Sequence, residues 1–593
     1  MHARGTRRLR GTALALTCAG MLVLSACDGA GSGDGADGTD DGGFLGLGGD
    51  REGSGDEQDG SGDGHDASGD ALTATTTQPS EGALVLTGED GATLATAAQE
   101  ALFETSPVVV LASEDESVRA ASAAVALGVP VVVDGPGTAE QLEQLGAEVA
   151  LAIGPVADPG IDVVVPTDDA HLAELLGVGS DAVTVDPDEA AVRIATLDPA
   201  EPQLLVPEGS QPGAAEDDGT SDSTSDDAAA TDSPPLASDR DTLPTTSVPE
   251  PLAAVTVLST GGSRDLAALG TARAAGAHLL VGPHTDPRAT SESVQALASA
   301  EATTLIGLGE EFGEADDLAW KARTAATGVE LPGGGQLVLP GKTYVALYGT
   351  PVTSSLGVLG EQPVEETITR AEEHAGWYEP LTDEPVVPTH EIIVTVASEG
   401  PGPKGNYSNE LPIEQIEPLV DLAEEHGHYV VLDLQPGQTD FVTQAELYEE
   451  LLVRPHVGLA LDPEWRLGPG ERHMVQIGHV DVEEVNEVVH WLADLTREHD
   501  LPQKVLVLHM FQTRMIPDVD AVDQSREEVA VLIHADGQGP QPDKQATWRA
   551  LHDYAPSVEH WGWKNFYDED APVLSAEETM AQVDPLPDFI SYQ

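Results

Sequence analysis

The sequence predicts an α/β protein: a flavodoxin-like parallel β/α region in two related halves split by a disordered linker, followed by a (β/α)8 barrel of the TIM type. Three observations predict it. Short apolar runs alternate with helical stretches, the pattern of parallel strands joined by right-handed crossovers. Two strand–helix–strand–helix–strand units, one on each side of a polar segment, share one order of elements. Eight further apolar strands with helices between them follow Leu337, in about 250 residues, the count and size of a closed barrel.

In chain order, residues 1–26 read as an export signal. Arg4, Arg7, Arg8 and Arg10 precede the apolar stretch Ala13 to Val23, which is too short to span a bilayer. It runs into Leu24-Ser25-Ala26-Cys27, where small residues and a cysteine follow the apolar stretch in register. Cys18 lies inside the signal, so the mature chain has no pair for a disulfide and depends on its cores for stability. Residues 27–80 begin with a Gly/Asp/Ser tract that holds too little apolar surface to offset chain entropy, and they should form a self-repelling tether.

The first β/α unit occupies 81–207. Its strands are Val108 to Ser113, Val131 to Val133 and Val149 to Gly154, with helices over Ser117 to Leu127 and Ala139 to Leu145. A second polar segment, 208–250, is rich in Asp, Ser, Thr and Pro and reads as a disordered linker. The second unit, 251–330, repeats the order with strands at Val255 to Ser259, Leu279 to Pro283 and Thr304 to Gly309. The barrel, 337–593, has strands at Tyr344 to Tyr348, Ile392 to Ala397, Tyr429 to Leu432, Val457 to Leu461, Val505 to Leu508, Val529 to Ile533, Ser557 to Trp561 and Phe589 to Tyr592. Of the intervening helices, the stretch Val482 to His499 sets Val482, Val485, Val489 and Leu492 at helical spacing, which makes its glutamates a solvated face. The run Gly333 to Gly335 lacks the Lys-Ser/Thr of a phosphate loop and reads as a turn entering the barrel.

The chain carries 104 Asp plus Glu against 26 Lys plus Arg, a formal charge of −78. Nucleic acid and anionic lipid surfaces, which need a basic footprint, are excluded as partners. There is no G-x-S-x-G elbow, and the only cysteine beyond the apolar signal is Cys27 at its end, so Ser and Cys nucleophile chemistry finds no support.

Two resemblances follow from these residues. The Leu24–Cys27 stretch resembles the bacterial lipoprotein processing site, which implies lipidation at Cys27 and attachment to the outer face of the cell membrane. An apolar strand, an Ala-rich helix, Gly128-Val129-Pro130-Val131-Val132-Val133, a Leu-rich helix and a strand ending Ala152-Ile153-Gly154-Pro155 resemble the type 2 cell-wall-binding repeat of bacterial surface proteins. That likeness runs over roughly Ala83 to Gly160 and more loosely over Leu252 to Glu310, and it implies flavodoxin-like units that attach to a cell-wall glycan or polymer. The strong acidity departs from what adhesion to an anionic polymer asks for. The barrel, with Ala346 to Gly349, Val430 to Gly437, Leu459 to Trp465 and Asp536 to Gly539, resembles actinobacterial lipoproteins of unassigned activity and so implies no chemistry.

Residues just past the carboxyl ends of parallel strands line the ligand crevice of such a barrel. Onto that rim fall Tyr348, Asp433, Gln435, Asp462, Glu464, His509, Gln512, Asp536, Gln538, Trp561 and Trp563. Side chains two apart on a strand share a face, so Asp433 with Gln435, Asp462 with Glu464, and Asp536 with Gln538 each present two polar heads together. Such a rim suits glycosidic cleavage, with Glu464 as proton donor, Asp536 or Asp433 as second carboxylate, and Trp465, Trp561 and Trp563 as a sugar platform. Alternatively, Asp433, Asp462, Asp536 and His509 could hold a divalent metal for an envelope hydrolase, although no local metal signature is present and no other cofactor is expected. The third reading is a non-enzymatic cell-wall-binding protein.

Ordinary structural roles compete with each assignment. An Asp at a strand end commonly caps a helix or forms a turn, and Asp433 before Gln435-Pro436-Gly437 and Asp462 before Pro463 have turn-like neighbours. His473 and His479 read as loop residues, His534 as packed within the barrel, and Lys564 as a partner either of a substrate anion or of Asp568.

Overall fold

The computed structural model describes residues 71–593 apart from 81, 180–181, 210–235 and 301. Cys27, the tether up to residue 70 and most of the linker lie outside the described residues.

All six strands anticipated in the β/α region form, three in each of two parallel four-stranded sheets that one further strand completes. In the first, Val108–Ala112 lies between Val131–Val133 and Val149–Ile153, with Asp162–Val164 beyond. In the second, Val255–Ser259 lies between His278–Val281 and Thr304–Leu308. Its fourth strand is Ala83–Leu86, which precedes the first sheet in sequence yet pairs with Thr304–Leu308. The two halves therefore share strand order, and the linker does not divide them cleanly. The short strand Leu72–Thr73 likewise pairs with Thr246–Ser247, within the segment 208–250 that reads as a disordered linker.

Alanine content sets how the helices of this region meet. Helices Gly91–Leu102 and Ser117–Leu127 both pack on Leu266–Ala274, and small side chains allow backbones to approach closely. At Gly270 a Cβ atom would stand 2.5 Å from the Cα of Ala121, so only glycine fits that crossing.

The barrel closes as an all-parallel ring of eight strands: β1 Thr343–Gly349, β2 Val386–Ala397, β3 Tyr429–Leu434, β4 Val457–Leu461, β5 Lys504–Met510, β6 Val529–Ala535, β7 His560–Asn565 and β8 Phe589–Tyr592. Closure comes from β8, which pairs with β1 through Tyr344↔Phe589 to Leu347↔Tyr592. A short antiparallel strand, Ser408–Glu410, folds back on the end of β2. Two strands differ from expectation by more than two residues at an end. β2 starts six residues earlier than Ile392, and β7 starts and ends later than the stretch Ser557 to Trp561.

Inside the ring the lower part is filled by Tyr344, Ala346, Tyr429, Val431, Ala460, Val507 and Phe589, with Val338 and Leu339 closing the amino-terminal end. Outside, a larger apolar layer binds the helices to the sheet. In helix Val482–Glu498 the predicted residues Val482, Val485, Val489 and Leu492 are buried, while Glu483, Glu487 and Glu498 face solvent. The turn at Gly333 to Gly335 has φ of 85°, 91° and 60°, a left-handed path open to glycine. Below the barrel, Trp320 of the β/α region lies between two guanidinium groups, with Arg288 4.4 Å and Arg497 4.9 Å from its ring. Arg497 also pairs with Asp317 at 2.5 Å.

Candidate functional site

A strand with one face toward the barrel axis sends every second side chain inward. From the register this brings together Tyr348 of β1, Glu391 of β2, Asp433 at the end of β3, Asp462 and Glu464 after β4, His509 of β5, His534 and Asp536 of β6, Lys564 of β7 and Ser591 of β8. They lie above the apolar floor, at the carboxyl ends of the strands, where barrels of this class carry ligand sites.

His509 is the centre of a buried chain of contacts. Its Nε2 lies 2.7 Å from Glu391 Oε1, and its Nδ1 lies 3.1 Å from Asp536 Oδ2 and 3.3 Å from His534 Nδ1. Burial opposes a charged imidazole here, but the carboxylates of Glu391 and Asp536 outweigh it and hold the pKa of His509 well above the usual range. His534 is driven the other way by burial and by the charge of His509, so it is neutral. With His509 donating from both nitrogens, His534 accepts at Nδ1 and donates from Nε2 to Ser591 Oγ, 3.1 Å away.

The carboxyl groups of the site do not share one environment. Burial would raise Asp536, but the hydrogen bond and charge of His509, together with the charge of Lys564, bring it below the ordinary value. Burial lifts Glu464 to about 7, with the negative charge of Asp536 adding to the effect and Lys564 and His509 opposing it. Asp433 rises to about 6, chiefly from burial. Asp462 is pushed well above the carboxylate range by burial and by Asp433. Above Asp433, the Tyr348 hydroxyl donates to Asp433 Oδ2 at 2.8 Å, and the Lys564 ammonium sits 3.3 Å from the centroid of the Tyr348 ring. Three carboxylate oxygens in this interior have no hydrogen-bond partner: Glu391 Oε2, Asp433 Oδ1 and Asp536 Oδ1.

The structure thus gathers Glu464, Asp536, Asp433, Asp462, His509 and Tyr348 into one site. Asp462 also serves locally, accepting from the Glu464 backbone N at 3.2 Å and capping the turn Pro463–Trp465. Other predicted rim residues go elsewhere. The Gln435 amide oxygen accepts from the Ala397 backbone N at 3.0 Å and ties β3 to β2. Gln512 accepts from Arg514 Nε at 2.6 Å, and Gln538 is exposed.

Trp561 and Trp563 correct the expectation of a sugar platform. Both lie on the outer face of β7 and pack against helix Gln541–Tyr554: Trp561 stacks on His552 at 3.6 Å, and Trp563 meets Trp548 edge-on at 5.7 Å. The intervening Gly562 and Lys564 take the inner face, where a Cβ on Gly562 would meet His534. Of the three predicted tryptophans only Trp465 remains at the mouth, half-buried and edge-on to His473 at 5.3 Å. His473 in turn lies 6.3 Å from the ring of Tyr407 and 2.9 Å from its carbonyl oxygen. Lys564 makes no ion pair with Asp568 among the described residues; its ammonium is held over the Tyr348 ring beside the site carboxyls.

Glu391 and Ser591 were not anticipated. The signal for Glu391 was its place one residue before the apolar run at Ile392, on the inward phase of that run.

No protein-family model matches the chain, and no curated protein matches it. Among solved structures, the chain is similar to Cwp8 from Clostridium difficile at 12% identity and a TM-score of 0.27, covering 42% of this chain and 52% of that one. Cwp6 from Clostridium difficile is similar at 13% identity and a TM-score of 0.29, over 59% of this chain and 62% of that one. The matches span about half of the first and under two thirds of the second. At overlaps of that size, the chain's own elements carry the reading of its fold and site.

Proposed function

We propose that the barrel cleaves glycosidic bonds in cell-envelope carbohydrate, with Glu464 as proton donor and Asp536 as the second carboxylate. One observation carries the reading. Two carboxyl groups at one barrel mouth are driven apart, Glu464 to about 7 by burial and the charge of Asp536, and Asp536 below the usual value by His509, and such splitting supports an acid and a base role. Glu464, raised to about 7, holds a proton over part of its population at neutral pH and is half-buried at the mouth, where a leaving-group oxygen can reach it. Asp536 is kept ionised by His509 beneath it. Trp465, His473 and Tyr407 supply the aromatic edge on which a sugar ring would rest.

The site belongs, on this reading, to an exported protein held on the outer face of the membrane by a lipid on Cys27. The signal-like residues 1–26 and the small-residue approach to Cys27 support that placement.

The test is release of reducing ends from fractionated wall glycans by the full chain and by Glu464→Gln. Loss of about 10²-fold or more in the variant is expected of a general acid. Equal turnover by both removes Glu464 from the mechanism, and retention of glycan by both without turnover favours a binding protein.

A further inference from the structure

Beneath the acid pair lies a second constellation that glycosidic acid–base chemistry does not require. A nitrogen of His509, a nitrogen of His534 and a carboxylate oxygen of Glu391 all lie within 4.8 Å of one another, and all three residues are fully buried. We propose that this trio is a site for a divalent first-row transition metal, with Glu391, His509 Nε2 and His534 Nδ1 as ligands.

Three features support it. The donor set is two imidazoles and one carboxylate, which suits Zn2+ and its neighbours and leaves coordination positions open, whereas the oxygen-seeking Ca2+ and Mg2+ are poorly served by it. Glu391 has one oxygen against His509 and the other, Oε2, buried with no partner, a group that a cation would satisfy. Each histidine already has an orienting partner on its other nitrogen: Asp536 Oδ2 at His509 Nδ1, and Ser591 Oγ at His534 Nε2. Metal-binding histidines are held by such outer partners, which fix the tautomer and aim the free nitrogen.

Ligand atoms around a tetrahedral zinc stand about 3.4 Å apart, so the 2.7 Å between His509 Nε2 and Glu391 Oε1 has to open by about 0.7 Å. His534 Nδ1 stands 3.3 Å from His509 Nδ1, the nitrogen held by Asp536, and its ring has to turn toward Nε2 for the three to reach one ion.

This site is independent of Glu464, and its test does not measure catalysis. The full chain would be stripped with a chelator and titrated with Co2+ in excess Ca2+, which occupies the many surface carboxylates. Expected are one tight equivalent per chain with the visible absorption of nitrogen-ligated cobalt and its displacement by Zn2+. His534→Asn and Glu391→Gln should each abolish the band. Asp536→Asn, which keeps all three ligands and removes only an outer partner, should weaken affinity about 10- to 100-fold. Should either ligand variant not fold, wild type and Asp536→Asn decide the matter. No cobalt band in wild type, or an equal band in Asp536→Asn, overturns the proposal, as does a band that survives in His534→Asn.

Discussion

The ammonium of Lys564 lies 3.3 Å from the centroid of the Tyr348 ring, and the hydroxyl of that ring donates to Asp433 at 2.8 Å. The two residues come from the seventh and first strands, so a cation and a hydrogen-bond donor reach the same carboxylate from neighbouring parts of the wall. Lys564 lowers the pKa values of Asp433, Glu464 and Asp536 together. Lys564→Met should therefore move the pH profile of any turnover upward, because each carboxyl holds its proton to higher pH. A profile unchanged in Lys564→Met would show that its charge is not felt at the reacting groups.

Tyr348→Phe removes the hydrogen bond to Asp433 Oδ2 while Oδ1 is already without a partner. A loss of about 1–3 kcal/mol is expected for a buried acceptor left unsatisfied. Urea unfolding of the two proteins measures it, and Asp433→Asn in the Tyr348→Phe background should recover part of the loss.

Stability should fall as pH rises across the neutral range on account of two buried carboxyls. Glu464 and Asp433 have folded pKa values of about 7 and about 6, raised above their ordinary 4.5 and 3.8. A raised pKa means that the folded state favours the proton. This stabilisation is complete below the ordinary values and is lost as pH climbs through about 6 and then about 7. Thermal unfolding from acid to weakly alkaline pH should show a shallower decline in Glu464→Gln than in wild type.

His509→Gln should be among the most damaging changes in the barrel. It withdraws the charge between Glu391 and Asp536, which lie against the two ring nitrogens, and leaves two buried carboxylates unpaired. Breaking a buried pair from one side costs about 3–5 kcal/mol. Glu391→Gln combined with His509→Gln should cost less than the sum of the single changes, which a double-mutant cycle in denaturant would read.

Gly270→Ala should destabilise the β/α region by about 1–3 kcal/mol, since a methyl group there meets Ala121 of the facing helix at 2.5 Å. Guanidinium unfolding is the measurement. An unchanged midpoint would mean that the two helices can part without loss.

Much of this was legible in the chain because buried parallel strands are continuous apolar runs, and eight of them mark the barrel without reference to neighbours. Position along each strand was legible too where polar residues ended the run, as at Asp433, Asp462, His509 and Asp536. What failed was phase where polar residues lie inside a strand. β2 carries His390 and Glu391 in its interior, so the apolar signal starts only at Ile392 and a fully buried acid of the site went unseen. In β7 the rule that residues two apart share a face was right for Trp561 and Trp563, yet alternation alone does not say which face is inside. Gly562 decides it, since the crowded axis beside His534 admits no side chain there. The pairing of Ala83–Leu86 with Thr304–Leu308 had no local signal at all, because partner choice in a sheet depends on tertiary packing.

That pairing has a consequence for how the polypeptide comes apart. Leu72–Thr73 and Ala83–Leu86 are hydrogen-bonded to strands that follow residue 235, so the chain on either side of the segment 210–235 is interlocked by main-chain hydrogen bonds. A protease nick within that segment would yield two fragments that co-elute as one particle and separate only in denaturant, and a gene split there should complement when its halves are co-expressed.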